Sequence, residues 1–273
     1  IMADYKDIVG TAVRSNDGEL SGAKVGELFY DKTNANFDYK LVGAGSWATS
    51  NNLNTGRAAL MGAGIQTAGL AFAGRSPNTG KTEKYNGTSW TEVNDMNTAR
   101  SQGGGSGTQT SALAYAGEGD SNVALAESFN GTNWTEVNDL NTGRYNVASS
   151  GIATACLCYA GHTGSGASAL NESWNGTNWT EVGDMNTARA SPGGSGTAAS
   201  NALVFGGESP PARAFTELYN GTNWTELGDL NSAVSGNTGT GTTSLALSFG
   251  GDPDTDGTEE WNAAPILTKV LTD

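Results

Sequence analysis

One short phrase occurs four times in this chain, and its spacing constrains the fold more than any other feature. Tyr85-Asn-Gly-Thr-Ser-Trp90-Thr-Glu-Val returns as Phe129-Asn-Gly-Thr-Asn-Trp134-Thr-Glu-Val, Trp174-Asn-Gly-Thr-Asn-Trp179-Thr-Glu-Val and Tyr219-Asn-Gly-Thr-Asn-Trp224-Thr-Glu-Leu. A degenerate copy surrounds Trp47, so the tryptophans at 47, 90, 134, 179 and 224 step by 43, 44, 45 and 45 residues. After each tryptophan the chain reaches an arginine, at Arg57, Arg100, Arg144 and Arg189; Val234 replaces it in the last copy. Self-similarity at such a period marks a stacked repeat, each unit too small to bury its own apolar face.

Within each unit the residues predict four strands. A Gly-rich stretch comes first (Gly103-Gly-Gly-Ser-Gly, for example), followed by a strictly alternating one such as Ala112-Leu-Ala-Tyr-Ala-Gly. Leu and an aromatic occupy one face of that second strand and small residues the other, the period-two signature of β structure. A third strand carries Glu two residues before an aromatic, at Glu83, Glu127, Glu172, Glu217 and Glu259. Asn-Gly then predicts a tight hairpin, on the ground that both central residues tolerate positive φ. The fourth strand begins at the tryptophan. Four antiparallel strands per unit describe one blade of an all-β propeller.

The order of Gly-Gly, aromatic, Trp and Arg through residues 47–262 resembles the kelch repeat, which implies a propeller and no single activity. Five blades are favoured, with the Trp47 strand completing the last unit. Six is the alternative, in which a hairpin over 25–42 joins Trp47 in one blade and Ile266–Val270 finishes another. Residues 1–45 lack the repeat. They read as an extended arm followed by that hairpin, and 46–273 as the propeller.

Acidic residues outnumber basic ones by 28 to 14, a formal charge of -14. This argues against binding a phosphate backbone, which needs clustered Lys and Arg. No apolar run reaches the roughly 18 residues a membrane span requires, and the N-terminus lacks the pattern of a secretory signal. Cys156 and Cys158, two apart in one strand, read as small buried residues rather than a disulfide pair.

The repeated arginines and glutamates invite a reading as a charged site. A catalytic site needs different residues converging once, so a pair copied in every blade reads as structural ion pairing. The Asn-Gly-Thr and Asn-Trp-Thr sequons read as turn chemistry. Asp252-Pro-Asp254-Thr-Asp256-Gly257 is the one acidic cluster outside the repeat; three carboxylates on a Gly-containing loop suit calcium, with Glu260 as a further oxygen. A helix-loop-helix context is absent, and Pro, Asp and Gly also make an ordinary solvated loop, which is the favoured reading. The sole histidine, His162, lies on a variable loop, and the His, Tyr and Cys ligands of a kelch-type copper oxidase are missing. No carboxylate falls on the innermost Gly-rich strands, where a propeller enzyme collects its catalytic groups. No enzyme activity and no other cofactor is expected.

The Met2-Ala-Asp-Tyr-Lys opening, Gly26-Glu-Leu-Phe-Tyr-Asp-Lys-Thr and the run from Leu53 to Phe72 together resemble kelch-like virion proteins of marine bacteriophages. That resemblance implies a structural protein of a particle, in a fibre, tail or capsid-surface position, with residues 2–45 docking to other virion proteins. The alternative is a lectin-like module binding host-surface glycans through the variable loops 75–82, 118–126, 162–171, 208–216 and 252–258, where composition changes while the scaffold stays fixed.

Overall fold

The computed structural model describes residues 49–75, 77–253 and 256–263, together with the backbone of 14–16, 28–31 and 36–39. The chain divides into two compact units, Ile1–Thr49 and Ser50–Asp273. In the first, β1 (Arg14–Asn16) runs parallel to β2 (Leu28–Asp31), and β2 pairs antiparallel with β3 (Asn36–Tyr39), Tyr30 opposite Phe37. The expected hairpin is present in shortened form. β1 interrupts a stretch expected to be plain arm, because Arg-Ser-Asn carries no apolar alternation to announce a strand.

The second unit is a five-bladed β-propeller. Blade 1 is β4 (Met61–Ile65), β5 (Ala68–Phe72), β6 (Thr82–Tyr85) and β7 (Trp90–Val93), each antiparallel to the next. Blade 2 comprises β8 (Gly104–Thr108), β9 (Ser111–Tyr115), β10 (Ala126–Phe129) and β11 (Trp134–Val137). Blade 3 comprises β12 (Ala148–Ile152), β13 (Ala155–Tyr159), β14 (Asn171–Trp174) and β15 (Trp179–Val182). Blade 4 follows as β16 (Gly193–Ala198), β17 (Asn201–Phe205), β18 (Thr216–Tyr219) and β19 (Trp224–Glu226). Blade 5 has three strands among the described residues: β20 (Thr238–Gly241), β21 (Leu245–Phe249) and β22 (Thr258–Asn262).

Face-to-face stacking explains the alternation of the second strands. Leu113 and Tyr115 of blade 2 pack against Cys156, Cys158 and Trp179 of blade 3. Ala112 and Ala114, on the opposite face, lie against Leu70 and Phe72 of blade 1. Blades 2 to 4 thus each offer a large face to one neighbour and a small face to the other, and both become buried. The tryptophans of blades 2, 3 and 4 complete three of the junctions: Trp134 lies 4.9 Å from Phe72, Trp179 4.9 Å from Tyr115 and Trp224 5.3 Å from Tyr159, centroid to centroid. The innermost strands approach still more closely. A Cβ on Gly105 would stand 2.6 Å from the Gly62 carbonyl oxygen of blade 1, and one on Gly239 2.4 Å from that of Gly194.

The outer hairpins differ from the expected tight turn. Tyr85 pairs with Trp90, so Asn-Gly-Thr-Ser forms a four-residue loop, and only its Gly87 has positive φ, at 91°. Asn86 acts through its side chain instead: its Oδ1 accepts the N–H of Thr88 at 3.0 Å and of Ser89 at 2.9 Å. The same pair of bonds forms at Asn130, Asn175 and Asn220. Asparagine is selected here for its short acceptor, an Asx turn, rather than for its own backbone freedom.

Four junctions are alike and the fifth is not. A backbone chain circles one end of the inner strands: Gln102 N–H donates to Ala59 O (3.0 Å), Asn146 to Gln102 (2.8 Å), Ser191 to Asn146 (2.9 Å) and Gly236 to Ser191 (2.8 Å). No bond from Ala59 to Gly236 closes it. Likewise the Gly74, Gly117, Gly161 and Gly207 amides each reach the segment entering the next blade, whereas Gly251 makes no such bond to Arg57. Leu247 and Phe249, counterparts of Leu113 and Tyr115, are 36% and 39% exposed against 1% and 0%. A Cβ on Gly62 would meet no neighbouring blade, only its own Leu70 oxygen at 3.5 Å. Among the described residues a seam therefore separates blade 5 from blade 1. Trp47, Ala264 and everything after it lie outside the described residues, as does the expected completion of blade 5 by the Trp47 strand.

Candidate functional site

The repeated charges are consumed inside the scaffold. In blade 2 the Arg100 guanidinium is fully buried and its Nη1 lies 2.6 Å from Glu127 Oε1. Glu127 also accepts the Asn97 backbone N–H (2.7 Å), the Asn97 side-chain amide (3.0 Å) and the Thr98 N–H (3.3 Å). Arg57–Glu83 (2.7 Å), Arg144–Glu172 (2.9 Å) and Arg189–Glu217 (2.6 Å) repeat the motif. The arginine enters from the segment leaving the previous blade, so each pair fastens an inter-blade link to the third strand. Glu259, facing Val234, keeps only the amides of Asn231 (2.8 Å from both its backbone and side-chain nitrogens) and Ser232 (3.1 Å). Burial lowers the Arg100 pKa and Glu127 opposes that shift. In four of the five blades the two charges thus neutralise each other out of solvent, although the Nε of each arginine makes no hydrogen bond.

Along the propeller axis runs a cavity of about 340 Å³, lined by glycine, serine, threonine and one alanine from all five inner strands. The Ser106 and Tyr115 hydroxyls sit 2.9 Å apart at its wall. Its described lining carries no carboxylate, imidazole or thiol, the groups needed for acid–base or nucleophilic chemistry. Cys156 and Cys158 are buried and free; burial, reinforced by Cys158, pushes the Cys156 thiol up to about 12.

Variation gathers on the rim that carries the loops between second and third strands. In every blade one residue after the second strand makes a two-bond bridge to the incoming link: Arg75 with Ala58, Glu118 with Ser101, His162 with Tyr145, Glu208 with Ala190 and Asp252 with Ser235. Equivalent backbone positions thus hold a cation, three acids and an imidazole. Next in sequence to the link residues lie Ala59, Gln102, Asn146, Ser191 and Gly236, whose backbone bonds form the chain around one end of the inner strands. Gln102 Nε2 donates to Asn146 Oδ1 at 2.8 Å, and Tyr145 stands 5.1 Å from His162, ring to ring. The variable loops were expected from the sequence; this inner ring was not. Its residues differ from blade to blade, and repetition was the signal used to find everything else.

Of the proposed calcium ligands, Asp252 is bridged to Ser235 through its backbone, Asp256 is described and exposed, and Asp254 lies outside the described residues. No group of three metal-ligating side chains occurs among the described residues. No helix among them is long and apolar enough to cross a membrane.

Neither a protein-family model nor a curated protein sequence matches this chain. Solved structures that resemble it include that of YjhT, with a TM-score of 0.62 and 11% identity over 74% of this chain and 75% of that one. A likeness at that identity places the chain among β-propellers by fold.

Proposed function

We propose that this protein is a non-enzymatic component of a bacteriophage virion, docked to other virion proteins through residues 2–45 and displaying its propeller for attachment. The partition of side chains carries the reading. Charges that repeat are neutralised in buried pairs, while one rim position per blade changes freely among Arg75, Glu118, His162, Glu208 and Asp252. A fixed scaffold with a variable rim is the arrangement expected of a recognition surface. The marine phage resemblance, which extends through the arm, supplies the setting. Deleting residues 1–45 tests the docking half: the shortened protein is expected to be absent from purified particles while its propeller still folds. Incorporation of the shortened protein at normal levels would falsify the anchor.

A second reading, recognition of surface glycans, is favoured by the mixture on the rim of amides (Gln102, Asn146), acids and the neighbouring Tyr145 and His162 rings, inclined at 43°. Hydroxyl-rich ligands are held by such planar amides and aromatic faces. Binding of the propeller to a printed glycan array is the expected result, and a blank array removes this reading.

A further inference from the structure

We propose that the end of the propeller opposite the rim is the surface on which two copies of this chain meet, related by a two-fold axis. Antiparallel order within each blade puts the hairpins joining first to second strands, and those joining third to fourth, at that one end. The inner hairpins 65–68, 108–111, 152–155, 198–201 and 241–245 all differ in sequence, and none contains a charged residue. Nor do the outer hairpins 86–89, 130–133, 175–178 and 220–223. With 15% of the whole chain charged, free variation would have placed several charges on these turns. At the opposite end, equally variable positions hold Arg75, Glu118, His162, Glu208 and Asp252. Lys84, a third-strand residue, does reach an outer hairpin with its ammonium. It is satisfied there by the Gly131 carbonyl at 2.5 Å and stands 5.3 Å from the centre of the Phe129 ring.

The chemistry of this end selects a second copy as the partner. Ile65, Ile152 and Leu245 project from inner hairpins at 70%, 54% and 62% exposure, so apolar surface is concentrated here. Beside them on the same hairpins, Gln66, Thr110, Thr154, Ser200 and Ser244 are exposed. A hydroxyl or an amide both donates and accepts hydrogen bonds, so a surface of such groups is complementary to its own copy across a two-fold axis. A carboxylate only accepts, and cannot pair with another like itself. The formal charge of -14 drives two copies apart wherever their acids face one another. The uncharged end lets them touch with those acids directed away. A specific interface takes about 20–30 residues a side, which nine hairpins of four or five residues each supply. Pairing by this end leaves both rims facing outward.

Sedimentation velocity of the full chain tests this, over a range of concentrations and at low and high salt. The parent is expected to form a dimer, and more completely at high salt, where screening weakens the repulsion between two acidic bodies. Association through charge contacts would weaken instead. Ile65→Glu and Ile152→Glu are each expected to raise the dimer dissociation constant at least tenfold at an unchanged melting temperature, since both side chains stand in solvent. Ser121→Glu adds the same charge on an exposed position of the opposite rim and is expected to leave the dimer intact. A parent that stays monomeric at every concentration and salt overturns the proposal. So does a dimer that loosens with salt, persists in both isoleucine variants, or dissociates equally in Ser121→Glu.

Discussion

Replacing Arg100 with alanine strikes the fastening between blades 1 and 2. The guanidinium contacts Glu127 at 2.6 Å and the carbonyls of Thr98 and Ala114 at 3.4 Å each, with no solvent access. Without it Glu127 stays buried on three amide donors and no counter-charge, beside a void the size of the lost side chain. Breaking a buried pair from one side costs about 3–5 kcal/mol. For a chain of this size each kcal/mol moves the melting temperature by about 2–4 °C, so a fall of about 6–20 °C is expected by calorimetry. Arg100→Met combined with Glu127→Gln should lose less than the two single changes added together, because the second removes the stranded charge; the coupling is expected at about 1–3 kcal/mol. Blade 5 already performs a version of this experiment. Glu259 tolerates Val234 because the residue is half-exposed, so its charge is not stranded in the interior as Glu127 would be. An Arg100→Ala protein that melts with the parent would refute the reading of these pairs as structural fasteners.

Three further outcomes follow from the geometry. Gly105→Ala should lower stability strongly, because its Cβ meets the Gly62 oxygen at 2.6 Å, whereas Gly62→Ala, which faces the seam, should melt within experimental error of the parent; equal losses would mean the seam is closed in solution. Burial pulls the Glu83 carboxyl upward, but the Asn54 amide and Arg57 outweigh it and hold the folded value below normal. That contribution is present above the ordinary glutamate pKa of about 4.3 and lost as pH falls through the folded value, so Glu83→Gln should flatten the acid limb of a melting-temperature profile. Cys156 and Cys158 should resist maleimide at pH 8 in the native protein and label fully on unfolding; rapid native labelling would place them nearer solvent than the structure does.

Much of the fold could be read from residue patterns because propeller stacking imposes its own chemistry on each strand. Leu113 and Tyr115 on one face and Ala112 and Ala114 on the other are what a blade pressed between two neighbours requires, and the pattern recurs wherever a blade exists. The hairpin turn misled because Asn-Gly satisfies two mechanisms, and only the pairing of Tyr85 with Trp90 distinguishes the four-residue loop from the tighter one. The seam had no local sign: Leu247 and Phe249 repeat the pattern faithfully and differ only in lacking a partner. At the rim, Ala59, Gln102 and Ser191 adopt φ of 50°, 59° and 53°, yet none is a residue type that advertises a left-handed backbone. Backbone bonds from the next blade hold them there, a constraint invisible in any one repeat.

Recognition by the rim, carried on an inert scaffold, is tested most directly by glycan-array binding of the full chain beside a variant combining Glu118→Ala, His162→Ala and Glu208→Ala. These side chains form no buried ion pair, so the melting temperature should hold while array signal falls at least tenfold. A companion change in the axial cavity, Ser150→Ala, should leave binding intact. Undiminished binding by the rim variant, or binding lost through Ser150→Ala alone, would contradict a recognition surface at the rim and move the site to the axis.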